Sequence, residues 1–98
     1  MTELKGRQRR YLRGLGHHLK PVVIVGSAGP SDQVIGQVKQ QLTAHELIKV
    51  KVLEGSRAEM KATAEQLGKG SNSHVAQVIG HTVLLFKPNP EAPVIELP

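Results

Sequence analysis

Val22-Val23-Ile24-Val25-Gly26-Ser27-Ala28-Gly29-Pro30-Ser31-Asp32 reads as a strand, a tight turn and the start of a helix. That order sets the fold class. Four consecutive β-branched residues suit a strand buried on both faces. Gly26 and Gly29 let the chain turn closely, because no Cβ stands in the way. Pro30 or Ser31 fits the first positions of the helix that follows. It runs to about His45, with Val34, Ile35, Val38 and Leu42 as its apolar stripe.

Further along, Leu47 to Leu53 alternates Ile48, Val50 and Val52 with Lys49 and Lys51, the period of a half-buried strand with two lysines on one face. Ser56-Arg57-Ala58-Glu59 matches a capping box and opens a third helix. Met60, Ala64 and Leu67 point inward from it, and Gly68 is its expected stop. Lys69 to Ser73 reads as a polar, mobile loop. Val75 to Ile79 and Thr82 to Lys87 read as strands joined through Gly80-His81, a pair suited to a tight hairpin turn. Prolines at 88, 90, 93 and 98 make residues 89–98 an extended tail behind a single domain over residues 1–88.

Before the quoted stretch, Thr2 to Leu15 reads as a helix with Thr2 as N-cap and Gly16 as a left-handed stop. At 100° per residue, Leu4, Gln8, Tyr11, Leu12 and Leu15 share one side, and Lys5, Arg7, Arg9, Arg10 and Arg13 the other. The complete order is helix-strand-helix-strand-helix-strand-strand. It implies an α/β domain, a four-stranded mixed sheet layered with helices.

The net charge of +5 is concentrated. Residues 1–20 carry Lys5, Arg7, Arg9, Arg10, Arg13 and Lys20 against Glu3 alone, whereas the rest of the chain balances. Most charged helix faces are simply solvated. This one carries a single sign with no acid to pair it, so it repels itself and a polyanion would relieve the cost. The polyanion could be RNA, DNA or an anionic membrane surface. No apolar run approaches the ~20 residues of a membrane span, the first residues lack a signal peptide's apolar stretch, and the first helix has no tryptophan or phenylalanine to insert into a bilayer. The expectation is a cytoplasmic monomer that does not bind membranes.

Gly26-x-x-Gly29 sits where a strand hands over to a helix whose free N–H groups can meet a phosphate. A plain turn explains the glycines too. The loop lacks the Lys-Ser/Thr ending of a P-loop and the third glycine of a dinucleotide fingerprint. His17, His18, His45, His74 and His81 have no metal-ligand spacing, and there is no cysteine. Ser27 lacks the surroundings of a nucleophile elbow. A small phosphate-binding enzyme therefore has little support, and neither catalytic residues, metal nor cofactor are expected. Tyr11 and Phe86 are the only aromatics, so base stacking should be minor.

Leu19-Lys20-Pro21-Val22-Val23-Ile24-Val25-Gly26-Ser27-Ala28-Gly29, His45-Glu46-Leu47-Ile48-Lys49-Val50-Lys51 and Gln77-Val78-Ile79-Gly80-His81-Thr82-Val83 together resemble the CRM domain, named for chloroplast RNA splicing and ribosome maturation, in its free-standing bacterial YhbY-type form. The resemblance runs from about Leu4 to Pro88. It implies a fold similar to the C-terminal domain of translation initiation factor three. It also implies RNA binding through the Gly-x-x-Gly loop and a neighbouring basic surface, and association with large-subunit ribosomal precursors. On this reading Arg7, Arg9, Arg10, Arg13, Lys20, Gly26, Ser27, Ala28, Gly29, Lys49, Lys51 and His81 contact RNA. Ser27-Ala28 and His81 stand where the family often carries more basic or amide side chains, which leaves more of the charge to the first helix.

Overall fold

The computed structural model describes residues 3–98. Its elements are α1 (Gly6–Gly16), β1 (Pro21–Val25), α2 (Asp32–His45), β2 (Leu47–Val52), α3 (Arg57–Ser71), β3 (His74–Ile79) and β4 (Thr82–Phe86). The order is the one expected, and strand boundaries agree to about a residue. The sheet runs β1-β2-β4-β3. β1 is parallel to β2, whereas β4 is antiparallel to both β2 and β3. A two-residue turn, Gly80-His81, joins β3 to β4, with Gly80 at φ 55°. Glycine is favoured at that position.

Strand alternation splits the core into two. Val23, Val25, Ile48, Val50, Val52, Val83 and Leu85 face α2 and α3, where they meet Val38, Leu42, Met60, Ala64 and Leu67. The other face offers Leu47, Leu84, Phe86 and Ala76 to Leu12 of α1 and to Leu4. Each aliphatic side chain fully buried this way contributes about 1.5–3 kcal/mol. The α2/α3 layer, with the larger set, is the main source of stability.

Ser31 caps α2, its hydroxyl accepting from the Val34 N–H, and Ser56 and Glu59 form the expected capping box of α3. Three expectations are corrected. β1 is an edge strand with one buried face: Val22 and Ile24 are 46% and 58% exposed, because α1 covers the opposite side of the sheet only in part. α3 continues through Gly68 to Ser71, so the loop expected over Lys69–Ser73 is largely helix. A Cβ at Gly68 would lie 3.0 Å from Val75, and one at Gly70 2.9 Å from Ile35. Those glycines admit neighbours rather than stop the helix, which ends at Asn72 in the left-handed conformation.

The third correction concerns α1. Thr2, its expected N-cap, lies outside the described residues; Lys5 occupies the cap, its N–H bonded to the Gln8 side chain at 2.9 Å. Gly16 remains helical and packs on Leu84, where a Cβ would stand 2.8 Å from a methyl carbon. This close approach turns the helix about its axis. Leu12 is buried, Arg9 is drawn toward the sheet, and Tyr11 and Leu15 are left 42% and 41% exposed.

Past β4 the chain folds back, with Ile95 and Leu97 packed on the α1-side core. Glu46 holds it there. Its buried carboxylate accepts from the N–H groups of Asn89 at 2.6 Å, Val94 at 3.0 Å and Ile95 at 2.8 Å. Burial works to raise its pKa, but the three N–H donors hold it below the ordinary carboxylate value.

Candidate nucleic-acid interface

The cationic helix and the sheet meet in a cleft. With Gly16 against Leu84, α1 packs across β2, β4 and β3 and leaves part of that side of the sheet open. Along β2, Lys49 and Lys51 project onto that open side by strand alternation, opposite Leu84 and Thr82 of β4. Lys49 is half-buried, and its Nζ donates to the His17 carbonyl at 3.4 Å. This places an ammonium at the negative end of the helix dipole. Arg10 and Arg13 overhang from α1. The result is a cavity of about 500 Å³ lined by Arg10, Arg13, Lys49, Gln77, Thr82 and Leu84, among others, with no carboxylate in its wall.

The expected binding residues do not all converge here. Arg10, Arg13 and Lys49 do, and Lys51 is exposed on the adjoining sheet face. Arg7 is exposed on α1 outside the cleft. Arg9, expected on the outer face, is half-buried and donates to the Val75 carbonyl. It stands beside His74, whose pKa is pushed down by burial and then by the Arg9 charge, both of which disfavour its charged form. Lys20 lies apart, along an apolar groove with Leu15, Leu19 and Val22.

Gly26–Gly29 forms a turn at the end of β1, closed by the Gly29 N–H bonding to the Gly26 carbonyl at 3.0 Å. Gly29 has φ +74°, a conformation that favours glycine. Gly26 has no such constraint, and a Cβ there would meet no atom within 4 Å. Ser27 and Ala28 are exposed. The space for an anion exists, but the charge does not. The neighbouring cavity, about 420 Å³, includes Glu54 and Glu59 in its wall, and Asp32 occupies the first turn of α2. Hydrogen bonds from Ser56 lower the Glu59 pKa, which keeps that carboxylate ionised.

Sequence reading missed the link between these places. Exposed His81 has its Nδ1 3.0 Å from the Val52 carbonyl, at the same end of the sheet as the glycine loop. It borders a cavity of about 660 Å³ with Arg57 and Lys61. Ile79 lines both this cavity and the α1 cleft, and Gly55 lines both it and the loop cavity. The three are therefore neighbours around the hairpin end of the sheet. The spacing of Arg57 and Lys61, four apart on a helix, was the available signal, but nothing in the sequence brings them beside His81. Gln77 and Thr82 gave no signal as strand residues.

Comparison with known proteins agrees with this architecture. The family model of the CRS1/YhbY (CRM) domain matches residues 4–87. A Bacillus subtilis relative named probable RNA-binding protein YqeI is 45% identical over 95 residues, covering 97% of this chain and 99% of its own. A Haemophilus influenzae protein named RNA-binding protein is 38% identical over 98 residues, covering 100% and 98%. A solution structure from Staphylococcus aureus, described as that of a candidate RNA binder, superposes with a TM-score of 0.82 at 39% identity, covering 97% of this chain and 99% of that one.

Proposed function

The chain belongs to the CRS1/YhbY (CRM) domain family, and from that premise we propose that it is a non-enzymatic RNA-binding protein whose main contact surface is the cleft between α1 and the sheet. The observation that carries this reading is the meeting of Arg10, Arg13 and Lys49 around one cavity without an acid in its wall. Three cations held together at an open surface recognise a run of phosphates. Arg7 and Lys51 extend the same surface. Gly26–Gly29, Ser27, Ala28 and His81 form a second contact, where backbone and small side chains allow a phosphate close approach. Lys20 and Arg9 contribute at the margin. The names of the relatives support RNA as the polyanion.

The finer reading is a monomeric, cytoplasmic assembly factor acting on ribosomal RNA in large-subunit precursors. It rests on the resemblance in the sequence. A small domain with one cationic surface binds RNA modestly and releases it readily, as transient assembly requires. Among the described residues, no helix is long and apolar enough to cross a membrane. Crosslinking in cells, followed by gradient fractionation and sequencing of the attached RNA, tests both levels. The expected result is large-subunit ribosomal RNA recovered from precursor fractions. Other RNAs in ribosome-free fractions would overturn the ribosomal reading, and an absence of attached RNA would overturn RNA binding.

A further inference from the structure

The cleft has more in it than charge. Its floor is apolar, made by Leu84 with Ile79 beside it, and its sheet-side wall carries the Gln77 amide and the Thr82 hydroxyl. Both side chains are half-buried, and neither makes a hydrogen bond to another described residue. Phosphate recognition can use only the donor half of an amide, and leaves its acceptor idle. A base edge can use both, because it offers the same alternation of donors and acceptors. The dimensions point the same way. The cavity, about 500 Å³, is closed at one side where Gly16 meets Leu84, so it admits a group of nucleotide size. A base stacked inside a duplex cannot enter it, whereas one turned out of a bulge or loop can. Among the described residues the cleft's wall holds no tyrosine, phenylalanine or tryptophan, and its one ring is the His17 imidazole. Stacking on that ring would be indifferent to base identity, so hydrogen bonding at the base edge would decide which base is held.

We propose that this cleft seats one unpaired nucleotide, its phosphate held by Arg10, Arg13 and Lys49 and its base edge by Gln77 and Thr82. The inference rests on the RNA-binding reading above and adds what kind of RNA is preferred. Gln77 and Thr82 become specificity-determining residues, while the arginines set affinity for any RNA. Gly14, in the stripe Arg10-Gly14-His17 at the cleft's rim, leaves a gap that a side chain would narrow; a Cβ there meets nothing within 4 Å.

The test titrates the full chain with a short RNA duplex and with the same duplex carrying one unpaired nucleotide, in four versions for the four bases. Wild-type protein is expected to bind at least one bulged RNA roughly tenfold more tightly than the plain duplex, as about 1.4 kcal/mol from one or two hydrogen bonds provides. Gln77→Met and Thr82→Val keep side-chain size and strand compatibility while removing the hydrogen bonds. Each should lose roughly three- to tenfold on the preferred bulged RNA and clearly less on the duplex, so that the preference shrinks. Gly14→Leu, at an open helical position, should fold and lose the bulge preference too. Equal binding of bulged and plain RNA by wild type, or an unchanged preference in Gln77→Met and Thr82→Val, overturns the nucleotide site while RNA binding stands. Wild-type protein that binds none of these RNAs overturns both.

Discussion

The α1 cleft and the Gly26–Gly29 loop are both places where a phosphate could approach, and they differ in what each provides. The cleft gathers Arg10, Arg13 and Lys49 with no acid in its wall. The loop clears space by means of glycine, yet Glu54 and Glu59 line the cavity beside it and Asp32 begins the adjoining helix. One site attracts; the other permits. Coulomb attraction between partly exposed charges persists over about a Debye length, ~8–10 Å, so the cleft acts on RNA before contact, and the loop only at contact. A motif such as Gly-x-x-Gly marks steric permission and says nothing about the charges that folding brings beside it.

This division can be broken by substitution. Arg10→Ala with Arg13→Ala should give the largest effect. Both side chains are exposed, so the fold should survive. At about 1 kcal/mol for each exposed charge contact, RNA affinity should fall roughly thirtyfold, as read by fluorescence anisotropy with circular dichroism as the folding control. Gly26→Asp should give a smaller loss, roughly threefold, equivalent to under 1 kcal/mol, because it adds a charge to a site that attracts little. Gly26 suits this test since its conformation is ordinary and the space is open, whereas substitution of Gly29 would add strain at φ +74°. A greater loss from Gly26→Asp than from the arginine pair would reverse the ranking of the two sites.

Much of the fold was legible because its signals are local. Ile48-Lys49-Val50-Lys51-Val52 alternates, Ser56 and Glu59 form a capping box, and Gly80-His81 closes a hairpin; each needs only its immediate neighbours. The misread positions depend on partners far along the chain. Gly16 and Gly68 look like helix stops, and Gly70 like part of a loop, until Leu84, Val75 and Ile35 are set against them. Val22 and Ile24 look buried until β1 proves to be an edge. The site divides in the same way. The excess charge of the first helix was plain, and so were the two lysines of β2, but their meeting follows from Gly16 on Leu84. Glu46 was visible only as part of a motif, because its partners Asn89, Val94 and Ile95 lie more than forty residues away.

The central claim is that affinity comes from phosphate contacts centred on the α1 cleft, and the salt dependence of binding tests it most directly. The logarithm of the association constant, plotted against the logarithm of salt concentration, should fall linearly by about 0.7–0.9 for each phosphate contact. Arg10→Ala with Arg13→Ala should make that slope shallower by roughly two contacts, about 1.5. A wild-type line that is flat, or one that stays parallel to the line of the double variant, would contradict the account.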